Sequence, residues 1–526
     1  MLNINHSLQE DYWEEFQLED EDIEFIYNDL LEKEIPLTTR DLADALVQER
    51  IRREKSALEE RRTSAGDIYQ PKGTYSVDQS LVFPAFNWKP GKVVSIREGK
   101  NPDLGKFDVI QVAFGKGEPR EFAANLAEHK LNEPIEFGSE NDALDPDKVI
   151  DEYEEELIGY LEEELQTHPD FVRIAGSWFP RALLVDVSVG HLNLAEAVLD
   201  MEGGGPLPTP VLIEQIGLSD NVNPKLLEFS LNWALESDPR FDEVGPAGEV
   251  LWFLHRLEPQ EVLEPPIYLR YPGIEYDRSL LSTEMLELER ELDDELSPVH
   301  IRPQQSEEVE ITLIYPHWRS GTLPLSARVR HLFPTAYEAP RIQFTLIDGD
   351  TGDRFSSWVV REKRYVFGLK EWYESRGLIP GSLIRVIQGK KPGEVILRTD
   401  HRRSNREWMR TVLVGTDGGV VFAMLKQYVT SPFDDRMAIA VPDVEALDQI
   451  WTRGSRDYQS LERIVMYMVR ELSKLNPQGH VHASELYSAI NIVRRIPPGP
   501  ILAFLASQQG LIHLGDLHYR MVEADD

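Results

Sequence analysis

Residues 205–216 read GPLPTPVLIEQI, residues 35–46 read IPLTTRDLADAL and residues 480–490 read HVHASELYSAI. All three carry one phrase: an apolar residue, any residue, Thr or Ala, two more of any kind, then Leu. It falls at Leu37–Thr39–Leu42, Leu207–Thr209–Leu212 and Val481–Ala483–Leu486. Repeated phrases are read together because each copy must solve the same packing problem. An amphipathic stretch precedes each one. DIEFIYNDLLEKE puts Ile23, Ile26, Leu30 and Leu31 on one stripe, and NLAEAVLDMEGGG does so with Leu194, Ala195, Val198 and Leu199. LERIVMYMVRELSKLNPQG aligns Ile464, Val465, Met468 and Leu472. Spacings of three and four predict helices, and the hydroxyls of Thr39 and Thr209 are placed to cap the helix that follows.

Downstream, each copy reaches a Gly-containing turn between apolar runs: IYQPKGTYSV at 68–77, RFDEVGPAGEVLWFL at 240–254 and LIHLGDLHYRMV at 511–522. Tyr69, Phe241 and Leu511 open them, 30, 32 and 28 residues after Thr39, Thr209 and Ala483. Strand, turn, strand is the expectation. Helix, short strand, helix, helix and hairpin is the plan of a winged helix, in which the hairpin closes a core of three short helices. Residues Thr39 to Arg62 contain neither Gly nor Pro, so that run also reads as one long helix.

Two segments between the copies alternate as strands do. SLVFPAFNWKPGKVVSIREGKNPDLGKFDVIQVAFGKGEPREFAANL predicts a five-strand barrel with Arg97, Lys100, Lys106 and Lys116 on its loops. Residues 307–400 hold a second set, EEVEITLIYP, RIQFTLID, RFSSWVVRE, SLIRVIQG and EVILRTD, interrupted by the short helix GLKEWYESRGLIPGSL. The expected fold class is α+β multidomain, with tandem winged-helix (helix-turn-helix) modules alternating with small β-barrels. The expected boundaries are a helical, winged-helix-like unit at 1–77, a small barrel at 78–137, and a winged helix with an acidic leading helix at 138–275. A charged linker helix at 276–304, a basic barrel at 305–410, a connecting segment at 411–455 and a C-terminal winged helix at 456–526 follow.

From His191 to Pro259 the chain resembles the HARE-type winged helix of the bacterial RNA polymerase delta subunit. The matching parts are LNLAEAVLDM, the GGGPLPT break, LLEFSLNWAL and RFDEVGPAGEVLWFLHRL, with Arg240, Phe241 and Trp252 in the places of the closing strands. The resemblance implies a module used in transcription and, elsewhere, fused to restriction or chromatin proteins. It implies no catalytic residue. YVFGLKEWYESRGLIPGSLIRVI resembles the pseudobarrel DNA-binding domain of plant auxin-response factors and their restriction-enzyme relatives.

Charge is lopsided. The net is −37, yet residues 301–526 hold 29 Lys and Arg against 27 Asp and Glu, and residues 361–410 hold 13 against 6. An acidic chain repels nucleic acid at long range, so any contact must be local. The candidate contacts are Arg361, Lys363, Arg364, Lys370, Lys390, Lys391, Arg398, Arg402, Arg403, Arg406 and Arg410, with Trp372 and Trp408 as candidate base-stacking rings.

Cysteine is absent, which removes disulfides, thiolate metal sites and thiol nucleophiles and fits a reducing cytoplasm. Neither a signal-peptide pattern nor a run of about 20 apolar residues occurs, so a soluble cytoplasmic protein without membrane contact is expected. The histidines, among them His480, His482, His513 and His518, lack metal-site spacing. No phosphate-loop, nucleophile-elbow or zinc-protease motif occurs. The expectation is no enzyme, no cofactor, no metal and no catalytic residue. The function expected is a transcription-associated or other nucleic-acid-binding protein. Its basic second half would contact nucleic acid, DNA ahead of RNA, and its acidic first half a protein such as RNA polymerase. A scaffold or specificity component of a restriction or defence assembly is the alternative. A metal-dependent nuclease using Asp348, Asp350 and Glu362 is the remaining one.

Overall fold

The computed structural model describes residues 13, 16–64, 67–83, 86, 89–101, 105–115, 118–132, 145–218, 222–298, 306–391, 393–400, 405–415, 418–453 and 460–522. They form a mixed α+β protein with six sheets. Two compact units result, Met1–Val185 with Asn221–Phe229, and Asp186–Asp220 with Ser230–Asp526. No helix among the described residues is long and apolar enough to cross a membrane.

The first unit starts with α1 (Asp20–Lys33), β1 (Leu37–Thr38) and α2 (Thr39–Ser64). The Gly- and Pro-free run after Thr39 is one helix of 26 residues. A five-stranded sheet follows, β2 (Asp67–Ile68), β3 (Ser80–Phe83), β4 (Lys89–Glu98), β5 (Asp108–Ala113) and β6 (Arg120–Ala124), paired in sequence order. Then come α3 (Pro146–Thr167), β7 (Phe171–Ile174) and β8 (Ser177–Pro180).

Here the expected boundaries fail. The Tyr69 stretch is no closing hairpin, since β2 pairs in parallel with β3. Tyr69 instead stacks on Phe83 at 4.7 Å and donates to the Ala123 carbonyl. A Gly turn between apolar runs specifies a bend but not the sheet it joins; an aromatic core of Phe83, Phe114 and Phe122 takes this one. β1 pairs with β8, setting Leu37 opposite Trp178. The five-stranded sheet is thus inserted between α2 and α3. The acidic α3, expected to lead the second module, buries Val149, Leu157, Leu161 and Leu165 and belongs to the first unit.

After β8, α4 (Val189–Met201), β9 (Leu207–Pro208), α5 (Thr209–Ile216), α6 (Pro224–Glu236), β10 (Phe241–Glu243) and β11 (Leu251–Leu254) follow one another; all lie in the second unit except the start of α6, whose residues up to Phe229 fall in the first. The sheet order is β10-β11-β9, with Leu207 opposite Trp252. α4 buries Leu192, Ala195 and Leu199, so its stripe is rotated from the expected one and Leu194 stands 51% exposed. Thr209 caps nothing. Its hydroxyl is fully buried, donates to Asn232 Oδ1 and accepts the Trp252 indole N–H at 3.1 Å. A buried indole N–H needs an acceptor, and this demand outranks the helix end, which Pro208 begins without a side-chain cap.

After the short α7 (Gln260–Leu263), α8 (Thr283–Leu292) buries Met285 and Leu288 in the large core of the C-terminal part, so it is not a free linker. Seven strands follow: β12 (Glu308–Thr312), β13 (Thr322–Pro324), β14 (Arg341–Asp348), β15 (Arg354–Val360), β16 (Tyr365–Phe367), β17 (Leu383–Gln388) and β18 (Glu394–Arg398). Two helices, α9 (Tyr315–Ser320) and α10 (Lys370–Arg376), lie among them in sequence. The order β12-β17-β18-β14-β15-β16-β13 leaves β12 and β13 as edges, so the expected barrel is an open half-barrel.

Among the described residues β19 (Asn405–Val414) and β20 (Val420–Val429) pair as strands only with each other, and the expected boundary at 410 cuts through this hairpin. The chain ends with α11 (Val444–Arg453), α12 (Leu461–Ser473), β21 (Val481–His482), α13 (Ala483–Ile490), α14 (Pro498–Ser507), β22 (Leu511–Gly515) and β23 (His518–Met521). Val481 lies opposite Tyr519, and the order is β21-β23-β22.

A buried ionic cluster fastens this last segment. Arg495, with no exposed side-chain surface, meets Asp294 at 2.6 Å and Glu295 at 2.7 Å. Tyr487 donates to Asp294, and His317 Nε2 lies 3.2 Å from Glu295.

Candidate nucleic-acid interface

The β19–β20 ribbon, NREWMRTVLV against VVFAMLKQYV, alternates so that one face carries residues 406, 408, 410, 412 and 414 with 420, 422, 424, 426 and 428. Near the turn this face is core: Val412, Phe422 and Val420 are buried with α12 residues. On the opposite face Met409 and Val429 pack on Ala438 and Ala440. The ribbon is therefore held on both sides.

Away from the turn the first face opens. Trp408 is 64% exposed and Tyr428 66%. Register places Arg406 directly opposite Tyr428 and Lys426 directly opposite Trp408. Consequently the Arg406 guanidinium lies 4.7 Å from the Tyr428 ring centre, and Lys426 Nζ lies 5.3 Å from that of Trp408. The face contains no Asp or Glu in either strand. Two cation–aromatic pairs thus stand side by side on this face.

The other candidate residues are dispersed. Arg410 is half-buried and committed: it pairs with Glu485 at 2.6 Å and donates to the Arg436 carbonyl. Burial pushes its pKa down, with Glu485 opposing. Arg361 donates to the Ala339 carbonyl, Arg364 to that of Glu295 and Arg398 to that of Gly349. Lys363 pairs with Glu362 at 2.7 Å. Lys370, Lys390 and Lys391 are exposed. Arg402 and Arg403 lie outside the described residues, as does Lys116, whereas Arg97 is on β4 and pairs with Glu121.

Trp372 is not a stacking platform. It is 6% exposed and donates its indole N–H to Asp348 Oδ2 at 2.8 Å. Of the two expected rings only Trp408 stands free at the surface. Tyr428 and Lys426 were missed because the basic run in sequence stops at Arg410; the alternation across 420–429 was the signal that could have paired them with it.

The three nuclease carboxylates do not converge. Asp348 ends β14, where it accepts from Trp372, from Arg376 and from the backbone amides of Asp350 and Thr351. Burial raises its pKa, and these donors, Arg376 foremost, more than offset that. Asp350 pairs with Arg376 at 3.3 Å. Glu362 follows the far end of β15, since Val360 pairs with Arg341 at the opposite end of β14, roughly 20 Å away by strand rise.

Asp242, His255 and Glu258 bring ligand atoms within 4.8 Å of one another. The Arg341 guanidinium already occupies that position, paired with Asp242 and 2.9 Å from Glu258, so a cation is present without a metal. His480, His482 and His518 also meet, with ring centres 4.8 and 4.9 Å apart. Both nitrogens of His482 are used, by Ser484 and Arg436. Burial, with Arg436 and His518, pushes its pKa down to about 4. A cleft of about 860 Å³ lined by Tyr268, Arg319, Lys370, Asp353 and Glu371 mixes charges, and its Arg319 is neutralised by Asp448 at 2.7 Å.

Comparison with protein-family models, curated proteins and solved structures finds no match to this chain.

Proposed function

We propose that this chain is a non-enzymatic, transcription-associated protein with three winged-helix modules, and that its second half contacts nucleic acid through the β19–β20 ribbon. The observation that carries the nucleic-acid reading is the ribbon face to which neither strand contributes Asp or Glu and on which Arg406, Lys426, Trp408 and Tyr428 stand together. Guanidinium and ammonium groups bind phosphate, and a two-stranded ribbon is one of the elements used to approach nucleic acid.

Support for the modules is their common register. Leu37 faces Trp178, Leu207 faces Trp252 and Val481 faces Tyr519, each time two residues before the helix-opening Thr39, Thr209 or Ala483. In each, the first strand pairs with the last. The acidic first half would engage a protein such as RNA polymerase, and it needs no metal or cofactor to do so.

A second reading, a scaffold in a restriction or defence assembly, is favoured by α4. Leu194 is 51% exposed and Met201 86%, seven residues apart on one stripe, as suits a module that docks protein.

Full-length chain titrated against labelled DNA and RNA over a range of salt tests the nucleic-acid reading. Binding should weaken steeply with salt, and Arg406→Ala or Lys426→Ala should each reduce the slope by about one. Salt-insensitive or absent binding rejects it. Pull-down with and without nuclease treatment separates polymerase subunits from a nuclease or methyltransferase as partner.

A further inference from the structure

We propose that the ribbon takes an unpaired nucleic-acid strand, holding one base on Trp408 and a neighbouring base on Tyr428. This rests on the nucleic-acid reading above and narrows it from nucleic acid in general to the single-stranded form.

The two rings are diagonal neighbours on one face, because Trp408 pairs with Lys426 and Arg406 with Tyr428. Diagonal positions lie about 7–8 Å apart, close enough for one strand to cross both. Each ring is about two-thirds exposed, although a protein surface ordinarily covers rings of this size. Each also brings its own cation, Lys426 for Trp408 and Arg406 for Tyr428. A base stacked on either ring therefore has a phosphate partner within reach. Stacking platforms joined to a local cationic track are how proteins hold single strands without reading sequence.

A duplex is a poorer ligand for this face on two grounds. Its bases are already stacked on one another, so aromatic side chains reach base faces only by unstacking or flipping them, which costs a few kcal/mol per step. Charge adds to this. The chain carries −37, and a single strand has the lower density of condensed counterions, with a salt dependence of about 0.7 per phosphate against about 0.9 for duplex. A chain of net charge −37 therefore meets less repulsion from the single strand.

The experiment uses the full-length protein and a fluorescein-labelled oligothymidine of about 15 nucleotides, alone and annealed to its complement. The single strand should bind at least about tenfold more tightly than the duplex, with quenching of tryptophan emission that Trp408→Phe removes or alters. Trp408→Ala and Tyr428→Ala should each weaken single-strand binding about tenfold, and Trp408→Phe should retain most of it. Far-UV circular dichroism and the unfolding midpoint of each variant show whether the ribbon is intact; equal loss in an intact Trp408→Phe protein overturns the stacking role.

If duplex binds as well as single strand, and the ring variants bind normally while Arg406→Ala and Lys426→Ala do not, the inference fails and the broader reading stands. If neither nucleic acid binds, both fail. If an apolar or acidic peptide competes for Trp408 while oligothymidine does not, the face is a protein-docking surface and the inference is overturned.

Discussion

Trp178 donates its indole N–H to Thr39 Oγ1 at 3.0 Å, joining residues 139 positions apart. Trp252 makes the equivalent bond to Thr209 at 3.1 Å. In both modules the aromatic residue lies on the last strand, opposite an apolar residue on the first, and the hydroxyl opens the helix that follows. The two sites differ in the group that the hydroxyl donates to, Glu162 for Thr39 and Asn232 for Thr209, and in the acceptors of the indole. Trp252 has a second acceptor, Asn232 Oδ1 at 3.0 Å.

That difference predicts unequal costs. Thr39→Val should destabilise the first module by about 1–3 kcal/mol, because it leaves a buried indole donor without Thr39. Thr209→Val should cost less, since Asn232 still accepts from Trp252. Hydrogen exchange of the amides in β1, β7 and β8, against those in β9, β10 and β11, measures both locally. Equal loss of protection would refute the assignment.

Arg495→Met should cost about 3–5 kcal/mol, because Asp294 and Glu295 would be left as buried carboxylates without their shared cation. Adding Asp294→Asn and Glu295→Gln should recover part of that loss. Thermal denaturation of the single and triple variants checks it.

Acid should loosen the same cluster. Burial opposes ionisation of Glu295, but Arg495 and His317 hold its pKa well below the usual carboxylate range. A depressed folded pKa stabilises above the unfolded value of about 4.5 and loses that contribution as pH falls toward the folded value. The unfolding midpoint should therefore drop below about pH 4.5, and Glu295→Gln should flatten that decline while lowering stability at pH 7.

Glu243 should behave in the opposite sense. Burial raises its pKa to about 7, with Gly245 and Leu251 amides opposing and Glu236 and Glu338 adding to it. Its contribution is fully present below the unfolded value and is lost as pH rises through about 7. Glu243→Gln keeps an acceptor for the Gly245 amide and should stabilise by about 1–3 kcal/mol at pH 8 with little effect at pH 4. A melting series over that range is the check.

Asp348→Ala should destabilise by about 1–3 kcal/mol, since Trp372 and Arg376 lose their buried acceptor. Asp350→Ala should be nearly neutral, its ion pair being partly exposed. Metal-dependent cleavage of DNA by the parent chain, abolished in a folded Asp350→Ala variant, would restore the nuclease reading.

Local periodicity made the helices legible. Ile464, Val465, Met468 and Leu472 are buried on α12 as their spacing requires. What local pattern does not encode is which distant strand a short strand will join. β1 offers two residues for pairing, and nothing near Leu37 says that Trp178 is the partner. The candidate interface shows the same limit. Basic residues were visible as a run, but a run counts charge and not direction: Arg410 and Arg406 are four positions apart, one paired with Glu485 and the other laid over Tyr428. Trp372 and Trp408 likewise look alike in sequence, yet Trp372 is buried on α10 with Asp348 as its acceptor and Trp408 is exposed on β19.

The five-stranded sheet between α2 and α3 has a consequence for biosynthesis. A growing chain that has emitted Leu37 must translate more than a hundred further residues before Trp178 can reach it. At about 5–20 residues per second this leaves the opening helices without their lid for about 7–28 seconds. Among the described residues the strands of the inserted sheet pair only with their own neighbours in sequence, so the sheet can form during that wait. By condensing, it shortens the span that must later be closed, which lowers the entropy lost in bringing the ends together.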